Sequence, residues 1–193
     1  SMTMDIDAII QSEVSMKEAI NAVGDRLGLS NGWLNSDFKK TTSFSHKLVE
    51  HSKYYKTFAN ILEVRTIKGA YLIAMKLMSG RLYKNDLSDI VGIMKEEKNI
   101  TLDMIKEACT ELYGAYNKIP MSSRTFIDAI FAKEDLDSFY EECSKMEKDN
   151  KDILISFNDE YPNAIKKDNV EEIIALAKKR ISTKEMEKKN DRK

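Results

Sequence analysis

Proline and cysteine each occur only twice in the 193 residues, glycine seven times and tryptophan once. So little turn punctuation argues against a β-sandwich or a low-complexity chain and favours helices. The two cysteines, Cys109 and Cys143, have no second Cys or His at ligand spacing, which excludes a disulfide framework and a thiolate zinc site. Buried free thiols are expected instead. An excess of either charge is missing as well: 31 Lys and Arg stand against 32 Asp and Glu, so no overall basic field draws in nucleic acid or an anionic membrane. No apolar run approaches the roughly 18 residues of a membrane span, and no basic-then-apolar leader is legible, so a cytoplasmic protein is expected. His46 and His51, the only histidines, are five apart, which suits neither helical nor strand ligand spacing and predicts a surface or loop role.

What is present is 42% apolar and 33% charged residues in helical periodicity, broken by a few extended stretches. Met4 to Ile10 alternates as a strand, with Asp5 and Asp7 on one face and Ile6 on the other. Ser15 is placed to cap a helix through Met16, Ile20, Val23 and Leu27, stopped by Gly28. The following LSNGWLNSDFKKTTSFS reads as a long surface connection anchored by Trp33, Leu34 and Phe38, with Lys39 and Lys40 exposed. Tyr54–Phe58 and Ile61–Ile67 predict a hairpin around Asn60. Helices then follow: one after Gly69 with Leu72, Met75 and Leu77 or Met78 as its apolar face, and one over 85–97 capped by Asn85 with the stripe Leu87, Ile90, Val91 and Met94. Further helices are expected over 101–116, over 126–131 capped by Ser122 or Ser123, over 136–157, and over 170–181 capped by Asp168. The lysine-rich end is expected to fray.

Residues two apart on a strand point the same way, with α-carbons about 6.6 Å apart, so Asp5 and Asp7 can each offer an oxygen to one divalent cation. Mg²⁺ held in this way neutralises triphosphate oxygens and activates an attacking hydroxyl. Further along, LIAMKLMSGRLYKNDLSDI places Lys76 and Arg81 ahead of Asp86 and Asp89, which can pair with them across the helix junction.

The order of TMDIDAII, WLN, ILEVRTI and this basic-then-acidic stretch resembles a family of bacterial nucleotidyltransferases related to the abortive-infection toxins of the polymerase-β-like superfamily. Thr3, Asp5 and Asp7 match its acidic strand, Trp33 to Asn35 its loop, Lys76 and Arg81 its basic helix, and Asp86 and Asp89 its final acidic helix. The likeness covers about residues 3 to 97. It implies Asp5, Asp7, Lys76, Asp86 and Asp89 as catalytic residues, Lys76 and Arg81 on phosphate, and Mg²⁺ on Asp5 and Asp7 with Glu63 as the candidate third ligand. It also implies a glycine-rich phosphate turn upstream of the acids. Nothing precedes Thr3 here except Ser1 and Met2, so transfer by the chain as it stands is expected to be impaired, and the edge of the first strand is expected to pair with a second copy or be covered by a helix.

The expected fold is therefore α+β: a small, incomplete nucleotidyltransferase-type sheet within residues 3–98, a helical region over 99–182, and a frayed tail over 183–193. Two functions stand side by side. One is metal-dependent nucleotidyl transfer from a nucleoside triphosphate, as the toxin of an abortive-infection or toxin–antitoxin pair with an antitoxin as partner. The other is a catalytically inactive helical module that binds a protein.

Overall fold

A computed structural model describes residues 5–11, 13–166 and 168–190, so Thr3, Met4 and Ser12 lie outside the described residues. The architecture is α+β, as expected, but the strands form two separate two-stranded sheets rather than one. The first pairs β1 (Ile6–Asp7) with β2 (Leu34–Asn35) in parallel, Ile6 opposite Leu34 and Asp7 opposite Asn35. The second is the antiparallel hairpin of β3 (Ser52–Phe58) and β4 (Leu62–Ile67), which shares no strand with the acids. Its turn falls at Ala59 and Asn60, both at positive φ, as a tight hairpin with right-handed strand twist requires.

The Trp-Leu-Asn segment, expected as loop, is thus the strand that lines up the acidic pair. The Trp33 indole N–H donates to the Ile20 carbonyl at 3.0 Å, tying the segment to α1 (Glu13–Leu27). The ring lies so close to α1 that a β-carbon at Gly24 would sit 2.9 Å from it. Backbone N–H groups of Ile6 and Ala8 then donate to the carbonyls of Trp33 and Asn35 at 2.6 and 2.8 Å. Trp33 acts as an anchor, and β1 gains a partner strand within its own chain.

The main core is helical. Helices α2 (Gly69–Ser79), α3 (Asp86–Glu96), α4 (Leu102–Tyr113) and α5 (Met121–Phe131) contribute Ile73, Leu77, Ile90, Val91, Ile105, Ile127 and Ile130, all buried, and the long α6 (Leu136–Glu160) closes over α3. The expected stripe of α3 is the buried one. On α2 the buried face is Ala70, Ile73, Ala74 and Leu77, rotated from the expected Leu72 and Met75, because the small alanines let α2 approach its neighbours closely. α4 ends at Tyr113 rather than 116, where Gly114 at φ 87° takes the left-handed stop. α5 starts directly after Pro120, and Ser123 is buried within it instead of capping it. Helix α7 (Val170–Asn190) runs past its expected end at Ile181 and packs Val170, Ile173 and Ile174 against Leu154 in a second, smaller cluster.

Cys109 and Cys143 are buried free thiols, and burial pushes them up to about 12 and about 11, which keeps them unreactive. His51 is not a loop residue: its ring stacks on Tyr71 with centroids 3.8 Å apart, and its Nε2 lies 3.2 Å from Glu111. Among the described residues no helix is long and apolar enough to cross a membrane.

Candidate functional site

The acidic pair is built by β1 and braced by β2. The Asn35 side-chain amide donates to the Gly32 carbonyl at 3.0 Å and reaches Asp5 Oδ2 at 3.4 Å, while its carbonyl oxygen accepts the backbone N–H of Asp37 at 2.8 Å. This turn also sets Asp37, whose carboxylate pairs with Lys40 at 2.7 Å and whose charge acts on Asp7 from a distance. Asp37 was not among the expected site residues. Its signal is the polar pair Asn35 and Asp37, two apart directly after Trp-Leu, which repeats the spacing of Asp5 and Asp7.

The basic half is built across the junction of α2 and α3. Lys76, in the last turn of α2, donates to Asp89 Oδ2 at 2.6 Å and lies 3.7 Å from Asp86 Oδ1. Arg81 grips Asp86 through Nε and a terminal nitrogen at 2.9 and 3.1 Å, a bidentate fork. Asp86 is almost fully buried. Burial alone would raise its carboxyl, but the Arg81 hydrogen bonds and the charges of Arg81 and Lys76 hold it below the usual carboxylate range. The cross-junction pairing expected of these four residues is therefore what the fold makes.

The charges of the basic half reach Asp7. Partial burial and then the Asp5 carboxylate push the Asp7 carboxyl up, while the Lys76 and Arg81 charges pull it back. Residues some 70 positions apart in sequence thus share one electrostatic neighbourhood, because β1 lies within reach of the α2–α3 junction. Two carboxylates that repel one another, Asp5 and Asp7, make a place where a divalent cation relieves the repulsion.

A support from the far half of the chain was not expected. Glu147 on α6 is 2% exposed, and its carboxylate accepts the N–H groups of Leu87 at 2.7 Å and Ser88 at 3.3 Å. It caps α3, the role expected of Asn85, whose side chain makes no capping bond. One turn on, the Asn150 amide donates to the Leu82 carbonyl at 2.6 Å. Glu147 and Asn150 together fix the segment that carries Arg81 and Asp86. Their signal was in the sequence: Cys143, Glu147, Asn150 and Leu154 follow helical spacing, so two polar residues occupy a core-facing stripe.

Of the expected site residues, Lys76, Arg81, Asp86 and Asp89 are joined by hydrogen bonds and ion pairs, while Asp5 and Asp7 lie at the β1–β2 pair, where the Lys76 and Arg81 charges act on Asp7. Glu63 is the exception: it sits on the hairpin, paired with Arg65 at 2.9 Å, and does not complete a cage with the acids. Among the described residues no three His, Cys, Asp or Glu side chains come together to hold a metal. Asp5 and Asp7 still fit Mg²⁺, which is commonly held by one or two carboxylates, with substrate phosphates and water completing its shell. No protein-family model, curated protein or solved structure matches this chain.

Proposed function

We propose that this protein is a nucleotidyltransferase that acts in the cytoplasm, as the toxin of a toxin–antitoxin or abortive-infection pair. The observation that supports the transfer reading is the pair of cations, Lys76 and Arg81, held across the α2–α3 junction by Asp89 and Asp86, whose charges reach Asp7. The toxin role rests on the sequence resemblance alone. In the reaction, an acceptor hydroxyl oxygen forms a bond to the α-phosphorus of a nucleoside triphosphate, the bond to the bridging oxygen breaks, and pyrophosphate leaves. Asp5 and Asp7 would hold Mg²⁺, which when bound supplies charge neutralisation of the triphosphate. Lys76 contacts phosphate while Asp89 orients its ammonium. Arg81 offers the guanidinium donors that Asp86 does not use. The hydroxyl proton leaves to solvent as the bond forms, since both Asp5 and Asp7 are taken up in holding Mg²⁺.

The inactive interaction module is favoured by a different observation. Tyr54, Tyr55, Phe58, Ile61 and Leu62 are all exposed on the β3–β4 hairpin, an apolar surface of the kind that protein partners cover. Calorimetric titration with the four common nucleoside triphosphates and Mg²⁺ separates the readings. Binding of at least one triphosphate is expected, weakened at least about tenfold by Asp7→Ala and by Lys76→Ala. Binding of none of them by the wild-type chain would overturn the transferase reading.

A further inference from the structure

A groove of about 670 Å³ opens directly on Lys76 and Asp89 and runs away from them between α2 and α3. Its walls follow from helical spacing. Gly69, Leu72 and Lys76 form one row on α2, and Asp89, Gly92, Ile93 and Glu96 form the facing row on α3. Lys76 near the end of α2 meets Asp89 near the start of α3, and Gly69 at the start of α2 meets Glu97 just past α3, so the helices run antiparallel and the groove spans about 10 Å. Two features shape its middle. Gly92 leaves a notch in the α3 row, where an added β-carbon would meet only the Tyr140 ring, at 3.6 Å. Tyr140 enters from α6, with the Lys95 ammonium 4.9 Å from its ring centroid and Lys95 itself tethered to Asp137 at 2.5 Å.

We propose that this groove is the nucleoside subsite, in which the base of a nucleoside triphosphate stacks on Tyr140 while its phosphates lie on Lys76. The inference rests on the transferase reading and adds the place of the base. An aromatic ring beside apolar Leu72 and Ile93 suits a flat heterocycle, and the Glu96 carboxylate at the far end suits sugar hydroxyls or an exocyclic amine. The volume lies within the range of small-molecule sites. The position answers a geometric requirement, since phosphates held at Lys76 must place their nucleoside next to it.

The test compares nucleoside triphosphates with inorganic tripolyphosphate, which carries the charge without the base, each titrated in Mg²⁺ by calorimetry. Tyr140→Ala is expected to weaken triphosphate binding about tenfold or more and to leave tripolyphosphate affinity unchanged, with Tyr140→Phe restoring it. Gly92→Val, which fills the notch and replaces a helix-weakening glycine, is expected to act in the same way in a protein that remains folded. Wild-type binding of both probes with unaltered triphosphate affinity in Tyr140→Ala and Gly92→Val would place the base elsewhere and overturn this inference alone. Failure of the wild-type chain to bind either probe would overturn the transferase reading and this subsite with it.

Discussion

Replacing Glu147 by alanine is expected to destabilise the protein by about 3 kcal/mol, although Glu147 is not itself among the residues expected to act on substrate. The N–H groups of Leu87 and Ser88 lose their buried acceptor, and the positive end of α3 loses the carboxylate that caps it from α6. Glutamine retains one acceptor and removes a buried charge, so Glu147→Gln is expected to cost only about 1 kcal/mol. Burial raises the Glu147 carboxyl more than its hydrogen bonds lower it. This group therefore favours folding fully below its unfolded value and loses that contribution as pH rises through the folded value, a trend that Glu147→Gln should abolish. Urea denaturation of the wild-type and both variants measures each difference. A Glu147→Ala protein within 0.5 kcal/mol of wild type would show that α3 needs no cap from α6.

Arg81→Ala is expected to cost a similar amount, about 3 kcal/mol at neutral pH, with the opposite pH trend. Asp86 is 3% exposed in its side chain and keeps only the more distant Lys76 as a cationic neighbour once Arg81 is removed. An uncompensated buried charge is among the most destabilising single changes. In the wild-type protein Asp86 titrates below its unfolded value, so its stabilisation is present above that value, about 3.9, and is lost as pH falls through the folded one. The penalty of Arg81→Ala should accordingly shrink as pH falls through the unfolded value of Asp86 towards its lower folded one, as a protonated Asp86 no longer needs a partner. A penalty independent of pH would mean that Arg81 contributes packing and not charge.

Both effects concern residues that the sequence disclosed unevenly. The α3 stripe and the hairpin turn were legible because their signals are local: a 3.6-residue period in one and left-handed residues between β-branched runs in the other. The pairing of Lys76 and Arg81 with Asp89 and Asp86 was legible because the four lie within 14 residues. The β1–β2 pairing was not, since the partner strand is only the two residues Leu34–Asn35 within turn-forming sequence and lies 28 positions from β1. Assignment of Glu63 to the acids failed for the same reason. Strand character shows that a residue is extended, but not which sheet it joins, and here the sheets are separate. Glu147 was hidden by its distance of 60 residues from Leu87, although a carboxylate in a core-facing stripe calls for a buried donor somewhere in the fold.

We propose that Asp5 and Asp7 share a divalent cation within the electrostatic reach of Lys76. Mn²⁺ titration followed by paramagnetic broadening of amide resonances tests it most directly. Two carboxylates without a third ligand predict weak, roughly millimolar binding, strengthened by a nucleoside triphosphate whose phosphates complete the shell. Broadening should centre on Asp5, Asp7 and Asn35, extend to Lys76 and Arg81, and disappear in Asp7→Ala. Broadening that persists unchanged in Asp7→Ala, or that centres on residues away from β1, would contradict the account.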